Sequence, residues 1–398
     1  MNLRGLLNAI NLAWRHLAFH GVRSSILVLA LGISAALPLV IQSLIERGET
    51  ATMARADRTP LVVGAPGGGI DLVLGALWFL PEPLGSIPAR TVGEISDSGL
   101  ADALPLSLSA RAGGAPVVGT DVGYLDFRDL RIAEGRSFAV PGECVLGAEL
   151  AAKRGLGPGD TILTDPEGLL DIGGGYPLRL RITGVLAPAR SPDDGAVFCD
   201  LRTSWIIAGH GHVHIDLEEV KDEPEVLMGT SEEGRSIASA AITPYTELTP
   251  ERLETLHFHG NPEDLPIEGL VVVPRDAKSS TILGARLERR GEIQLARPSV
   301  VIAEVLERVF KIGALLAGIL VATGVATLAV VALVLALSIR LRRDELDTLS
   351  RIGAGRTTIA TLLLSEVVIL AGGAALFALL VLACSFSLPD DLVLRLAN

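Results

Sequence analysis

Apolar residues gather along this chain into three long uncharged runs, separated by stretches where apolar and polar positions alternate over a few residues at a time. Residues 24–45 (SSILVLALGISAALPLVIQSLI) hold 22 positions without a charge, residues 312–339 hold 28, and residues 367–386 hold 20. A bilayer core about 30 Å thick is crossed by roughly 20 predominantly apolar helical residues. Each run therefore predicts a spanning helix, the last entered through residues 357–366. The first run is read as an uncleaved anchor rather than a signal peptide. More than 20 residues precede it, it exceeds the usual hydrophobic region of about 7–15 residues, and the small-x-small sequence Ala54-Arg55-Ala56 lies well beyond it.

The flanks set an orientation. Residues 1–23 carry Arg4, Arg15 and Arg23 and no acid, and the loop after the second run carries Arg340, Arg342, Arg343, Arg351 and Arg356. Positive flanks stay in the cytoplasm, so residues 46–308 are expected outside. That segment holds 24 Lys and Arg against 40 Asp and Glu, a net −16, while the whole chain of 398 residues carries −12. Its charge excludes nucleic acid as the main partner, since phosphate binding calls for clustered Lys and Arg.

Within the outer segment, residues 46–58 are polar with helical character and extend the first span as a stalk that Thr59-Pro60 ends. Strands are expected at 61–63, 115–120, 144–146, 178–186, 196–200, 269–274 and 292–295, the clearest being Leu178-Arg179-Leu180-Arg181-Ile182 with its strict alternation. Helices are expected at 71–79, at 148–154 with Gly155 as C-cap, at 279–290, and at 300–311 running unbroken into the second span. The fold class is thus a membrane protein, an α-helical bundle of three spans with a large α+β extracytoplasmic domain inserted between spans 1 and 2. The divisions are 1–23 amphipathic N-terminal helix, 24–45 first span, 46–308 outer domain with a His-containing insertion near 205–266, 309–339 second span, 340–358 cytoplasmic segment, 359–386 third span and 387–398 tail.

Candidate chemistry is sparse. Gly67-Gly68-Gly69, Gly173-Gly174-Gly175 and Gly353-Ala354-Gly355 lack the Lys-Ser/Thr of a phosphate loop, and no HExxH, GxSxG or CxxC occurs, so no catalytic residue and no bound cofactor is expected. His210, His212 and His214 in GHGHVH, with His257 and His259 in HFH, form a candidate metal set. Imidazole suits zinc, and the bland alternative is a polar hairpin. Cys144 and Cys199 both fall outside, where a disulfide is allowed, and Cys384 lies in a span. Glu366, at the entry of the third span, is an intramembrane carboxylate with interfacial water, Arg356 or Arg351 within expected reach. Gly372-Gly373-Ala374-Ala375, and Gly313, Gly318 and Gly324 in the second span, suit close helix approach. In 340–358, acidic and basic residues interleave while Leu346, Leu349 and Ile352 recur at i, i+3, i+6, the pattern of a short amphipathic helix at the membrane surface. By itself that pattern fits either a solvated turn that fixes topology or a docking helix.

Several stretches together resemble the MacB/FtsX-like permease family of ABC transporters, which includes macrolide-efflux and lipoprotein-releasing permeases. They are the entry LAWRHLAFHGVRSSILVLALGI; residues 116–138 (PVVGTDVGYLDFRDLRIAEGRSF), 144–160 (CVLGAELAAKRGLGPGD) and 181–200 (RITGVLAPARSPDDGAVFCD); and residues 342–377 (RRDELDTLSRIGAGRTTIATLLLSEVVILAGGAALF). The resemblance implies a non-enzymatic permease subunit of a bacterial inner membrane, with ATP bound by a separate ABC-type ATPase. It implies that Arg342, Arg343, Glu345, Leu346, Leu349, Arg351 and Ile352 seat in a groove on that ATPase. It also implies a second permease copy or paralogue, a periplasmic or outer-membrane partner, and a hydrophobic compound, lipoprotein or peptide as substrate. The sequence departs from the family in offering three spans instead of the usual four, residues 387–398 being too short and too charged to cross. A second reading, a membrane-anchored extracytoplasmic metal-binding or sensor module, rests on the histidines.

Overall fold

The computed structural model describes residues 3–80, 85–165, 177–212, 227–230, 236–238, 246–249, 253–289, 291–341 and 343–386. The chain divides into two compact units, one of Met1–Ala51 with Leu306–Asn398 and one of Thr52–Val305.

Helices make up all the regular structure among the first unit's described residues. Helix Leu3–Phe19 buries Ala9, Ala13 and Leu17, one stripe at i, i+4, i+8, against helix Arg356–Phe386. Helix Gly21–Asp57 is unbroken through Pro38, and helix Pro298–Leu341 runs for 44 residues. Among the described residues, Gly21–Asp57 and Arg356–Phe386 are long and apolar enough to cross a membrane, with mean hydropathies of 2.3 and 2.8. The uncharged run 312–339 lies inside Pro298–Leu341. Leu17, Leu27, Val331 and Leu370 make a shared apolar cluster, and Ser34 Oγ donates to Thr327 Oγ1 at 3.0 Å. Small residues let these helices approach. A Cβ on Gly373 would stand 3.3 Å from Val28, and one on Gly32 would stand 2.6 Å from the Phe377 ring. Among the described residues, a Cβ on Gly318, Gly324 or Gly372 would meet nothing within 4 Å.

The second unit is α+β. Leu61–Gly64 lies between Gln294–Ala296 and Gly269–Pro274, and Gly269–Pro274 pairs in turn with Ala101–Leu106, all antiparallel. The larger sheet is mixed. Leu178–Leu186 runs parallel to Glu143–Leu146, which is antiparallel to Val197–Asp200, which is parallel to Ala115–Thr120. Leu178–Leu186 keeps its alternate residues buried, as its alternation of apolar and charged residues dictates. Each sheet has its own apolar core, one built on Leu180, Ile182 and Val197 and the other on Leu61, Leu270 and Val272. Mutual hydrogen bonds between Ser107 and Gly119 join the two sheets.

At the head of strand Glu143–Leu146, the Glu143 carboxylate is almost wholly buried. It accepts from Arg136 at 2.6 and 2.8 Å, from Arg181 at 2.9 Å and from the Ala139 amide at 3.0 Å. The Arg136 bonds outweigh burial and lower its pKa from 4.5 to about 2. A carboxyl depressed on folding stabilises the fold above its ordinary range and loses that contribution as pH falls from about 4.5 toward 2. Glu143→Gln is therefore expected to lower the thermal midpoint of the full chain clearly more at pH 6 than at pH 2.5, where most of the carboxylate's contribution is already lost. Equal losses at both pH values would contradict this assignment.

Candidate functional site

The last turn of helix Gly21–Asp57 presents Arg55 to the second unit's interior. Its Nη1 donates to Asp193 Oδ2 at 2.6 Å, its Nη2 to Asp193 Oδ1 at 3.1 Å and its Nε to the Leu77 carbonyl at 2.6 Å. The two side chains are 9% and 1% exposed, so this two-pronged pair is out of water. Leu77 belongs to the final turn of helix Gly69–Trp78, whose carbonyls lack intrahelical donors, and a cation there also meets the negative end of the helix dipole.

Asp193 is held from every side. It sits in the 3-10 turn Pro192–Gly195, whose start carries a reciprocal Ser191/Asp194 capping box. Ser191 Oγ donates to it at 2.7 Å and the Tyr124 hydroxyl at 3.3 Å. Gly147 makes room for the turn. A Cβ there would stand 2.3 Å from the Asp193 carbonyl oxygen and 2.4 Å from that of Asp194. A second guanidinium, Arg128, stacks on the Tyr124 and Phe127 rings at 5.5 and 5.0 Å and donates to Thr59 Oγ1 at 2.9 Å. Its Nε and Nη2 are buried without hydrogen-bond partners among the described residues.

These surroundings set the protonation states. Burial alone would raise the Asp193 carboxyl, but Arg55 and Ser191 outweigh it and hold Asp193 below its ordinary range. Burial would lower Arg55, and Asp193 reverses that and raises it. Burial, reinforced by Asp193, raises the Tyr124 phenol, while burial lowers Arg128. Two cations thus face one anion, and the hydroxyls of Ser191 and Tyr124 spend their protons on that same carboxylate. The arrangement clamps the helix end to the turn.

Of the residues singled out in the sequence, several are brought together differently from expectation. Glu366 pairs with His16, Oε1 to Nδ1 at 3.1 Å, rather than with Arg356 or Arg351. Arg356 opens the same helix ten positions earlier, about 15 Å away along the axis, beyond side-chain reach. His16 comes from the amphipathic helix packed alongside. Within residues 340–358 a helix forms at Arg343–Arg351. Leu346 and Leu349 are half-buried, Arg343 and Arg351 are exposed, and Ile352 lies just past the helix end at 76% exposure. Arg342 lies outside the described residues, as does the Glu345 side chain.

The two histidine segments do meet. Gly211–His212 pairs antiparallel with His257–Phe258, His212 opposite His257, and the His259 amide donates to the His210 carbonyl at 2.9 Å. The His257 and His259 rings lie 5.4 Å apart. Among the described residues no three His, Cys, Asp or Glu converge as a metal site, and His214 lies outside them. Cys144 and Cys199 are buried thiols, direct partners across two antiparallel strands.

Sequence reasoning passed over Arg55, Asp193, Tyr124 and Arg128. The one local signal was the S-x-x-D of residues 191–194, a turn start that puts a neighbouring Asp in a fixed position. Breaking a buried pair leaves an uncompensated charge, so Arg55→Ala is expected to destabilise the full chain by about 3–5 kcal/mol in denaturant unfolding. The double change Arg55→Met with Asp193→Leu is expected to recover part of that loss, Arg128 then lacking the anion it faces. Equal losses for single and double variants would show that the ion pair is not the source.

No curated protein matches the chain. Among solved structures, the periplasmic region of MacB from Actinobacillus actinomycetemcomitans is similar at 13% identity and a TM-score of 0.34, over 63% of this chain and 92% of that one. The extracellular domain of the noncanonic ABC-type transporter YknZ from Gram-positive bacteria is similar at 14% identity and a TM-score of 0.32, over 59% of this chain and 98% of that one. The family model of the MacB-like periplasmic core domain matches residues 24–254, more than half of the chain. With two long apolar helices among its described residues and its α+β unit, the chain is a membrane protein with an extracytoplasmic domain, and it belongs to the MacB-like periplasmic core domain family, that of ABC transporter permeases.

Proposed function

We propose that the chain is the membrane subunit of an ABC transporter and works mechanically. It crosses a bacterial inner membrane three times, the second crossing being made by the run 312–339 of helix Pro298–Leu341. The N-terminus and residues 340–358 face the cytoplasm, and the acidic segment 46–308 faces outward. The positive short flanks support this orientation. A separate ATPase binds the helix Arg343–Arg351 and its exposed Ile352. Nucleotide-driven motion then reaches the outer domain, which acts on a hydrophobic compound, lipoprotein or peptide. The chain does no chemistry itself, and two copies, or one with a paralogue, hold two ATPase subunits.

The observation that carries this reading is the unbroken helix Gly21–Asp57, which bears the uncharged run 24–45 near one end and the clamped Arg55 near the other. A helix without a break transmits displacement along its axis, and a two-pronged buried pair at its tip passes that displacement to the turn carrying Asp193. A flexible tether could do neither.

Leu346→Asp tests the docking assignment, since it places a charge on the half-buried face of helix Arg343–Arg351. Purified from native membranes, the wild type is expected to retain nucleotide-hydrolysing activity and the variant to lose it by about tenfold or more, a change of about 1.4 kcal/mol. Full retention by a normally inserted variant would overturn the assignment.

A further inference from the structure

Cys144 and Cys199 are direct partners in the antiparallel ladder between Glu143–Leu146 and Val197–Asp200. Side chains alternate along a strand, and both thiols point into one apolar core with Leu146 and Val197. Phe198, between Val197 and Cys199, meets Tyr124 and Phe79 instead. Directly opposed residues of an antiparallel pair have Cα atoms about 4.5–5.5 Å apart, inside the span of about 4.4–6.8 Å that a disulfide bridges. Both thiols are wholly buried. Burial raises the pKa of each, with Glu143 adding to the effect at Cys144 and Cys144 adding to it at Cys199. In the folded protein these thiols therefore stay protonated and out of reach of solvent.

We propose that this pair is the dithiol form of a cross-strand disulfide, which closes as the domain folds on the extracytoplasmic side. The compartment favours it, because the domain belongs to a periplasmic family and disulfides persist outside the cytoplasm. Closure occurs while the strands are still open. The thiolate of one cysteine attacks the disulfide of a protein thiol oxidant, forming a mixed disulfide. The thiolate of the other then displaces the oxidant as its dithiol. Two S–H bonds become one S–S bond, and the two protons and two electrons leave on the oxidant. Burial afterwards shields the bond from reductants.

Its position gives it a task. Strand Val197–Asp200 follows the turn that holds Asp193, and strand Glu143–Leu146 leads into Gly147, which abuts that turn. The bond ties together the two strands that hold the Asp193 turn. The inference rests on the outward placement of the second unit and not on ATPase coupling.

Full-length protein in native membranes, quenched with acid, denatured and alkylated with a polyethylene-glycol maleimide, provides the test. One modified cysteine, Cys384, is expected before reduction and three after. Cys199→Ser is expected to give two both before and after reduction, a count taken on denatured chain and so independent of how well the variant folds. Proteolysis without reduction is expected to yield one crosslinked pair of peptides, containing Cys144 and Cys199. Three modified cysteines before reduction, or a crosslink through Cys384, would overturn the proposal.

Discussion

A guanidinium and a carboxylate removed from water together each lose several kcal/mol of hydration, and the loss is repaid only when geometry is close and every remaining donor and acceptor is met. Arg55 and Asp193 meet that condition. Each oxygen of Asp193 accepts from Arg55 and from a hydroxyl, that of Ser191 or Tyr124, and the third nitrogen of Arg55 finds the Leu77 carbonyl. A buried pair adds little net stability over an apolar contact, but it is far less tolerant of displacement. Apolar surfaces can slide by a fraction of a turn at small cost, whereas a two-pronged pair with contacts of 2.6 and 3.1 Å fixes the rotation and height of the helix end that carries it. The surrounding choices follow from this constraint, with a glycine at 147 where the turn comes close and a capping box that holds the turn in shape.

The same logic governs the helical unit. Among packed apolar helices a buried polar side chain must find its partner inside the protein. Glu366, 8% exposed at its side chain, finds His16, and Ser34 finds Thr327. These contacts, with the close approach at Gly32 and Gly373, give an otherwise uniform apolar surface a register. Leucine and valine alone fill space but do not select one rotation of a helix over another. The amphipathic helix Leu3–Phe19 is accordingly more than a surface float, because its buried stripe and His16 share one face.

How much of this could be read beforehand depended on whether the information was local. Strands Ala115–Thr120, Leu178–Leu186 and Gly269–Pro274 and helix Ala148–Arg154 have the bounds that alternation and a C-cap glycine predict. Strand Ala101–Leu106 was missed because its pattern is broken by an interior proline and four consecutive buried positions, which erase the two-residue period. Helix Leu201–Ile207 was missed because its one start signal, Asp200, closes a strand at the same time. The clamp was illegible for a different reason. Arg55 and Asp193 are 138 positions apart, and nothing in the surroundings of either announces the other. The histidines drew notice by their spacing, yet their segments are joined by a backbone ladder, and a repeated residue type does not by itself aim its side chains at a common point.

The two pairs that matter in the second unit then answer each other. A clamp can pass on only as much displacement as its receiving side can resist without yielding. Asp193 sits on a four-residue turn, the kind of element that deforms easily on its own. Its stiffness has to come from what flanks it. One flank is Gly147, pressed against the turn's carbonyls at the end of strand Glu143–Leu146. The other is strand Val197–Asp200, two residues past the turn. Those strands hold each other through a short ladder of three paired positions, too short to resist much separation by hydrogen bonds alone. One of the three is the cysteine pair, where a covalent bond does most to keep the strands together.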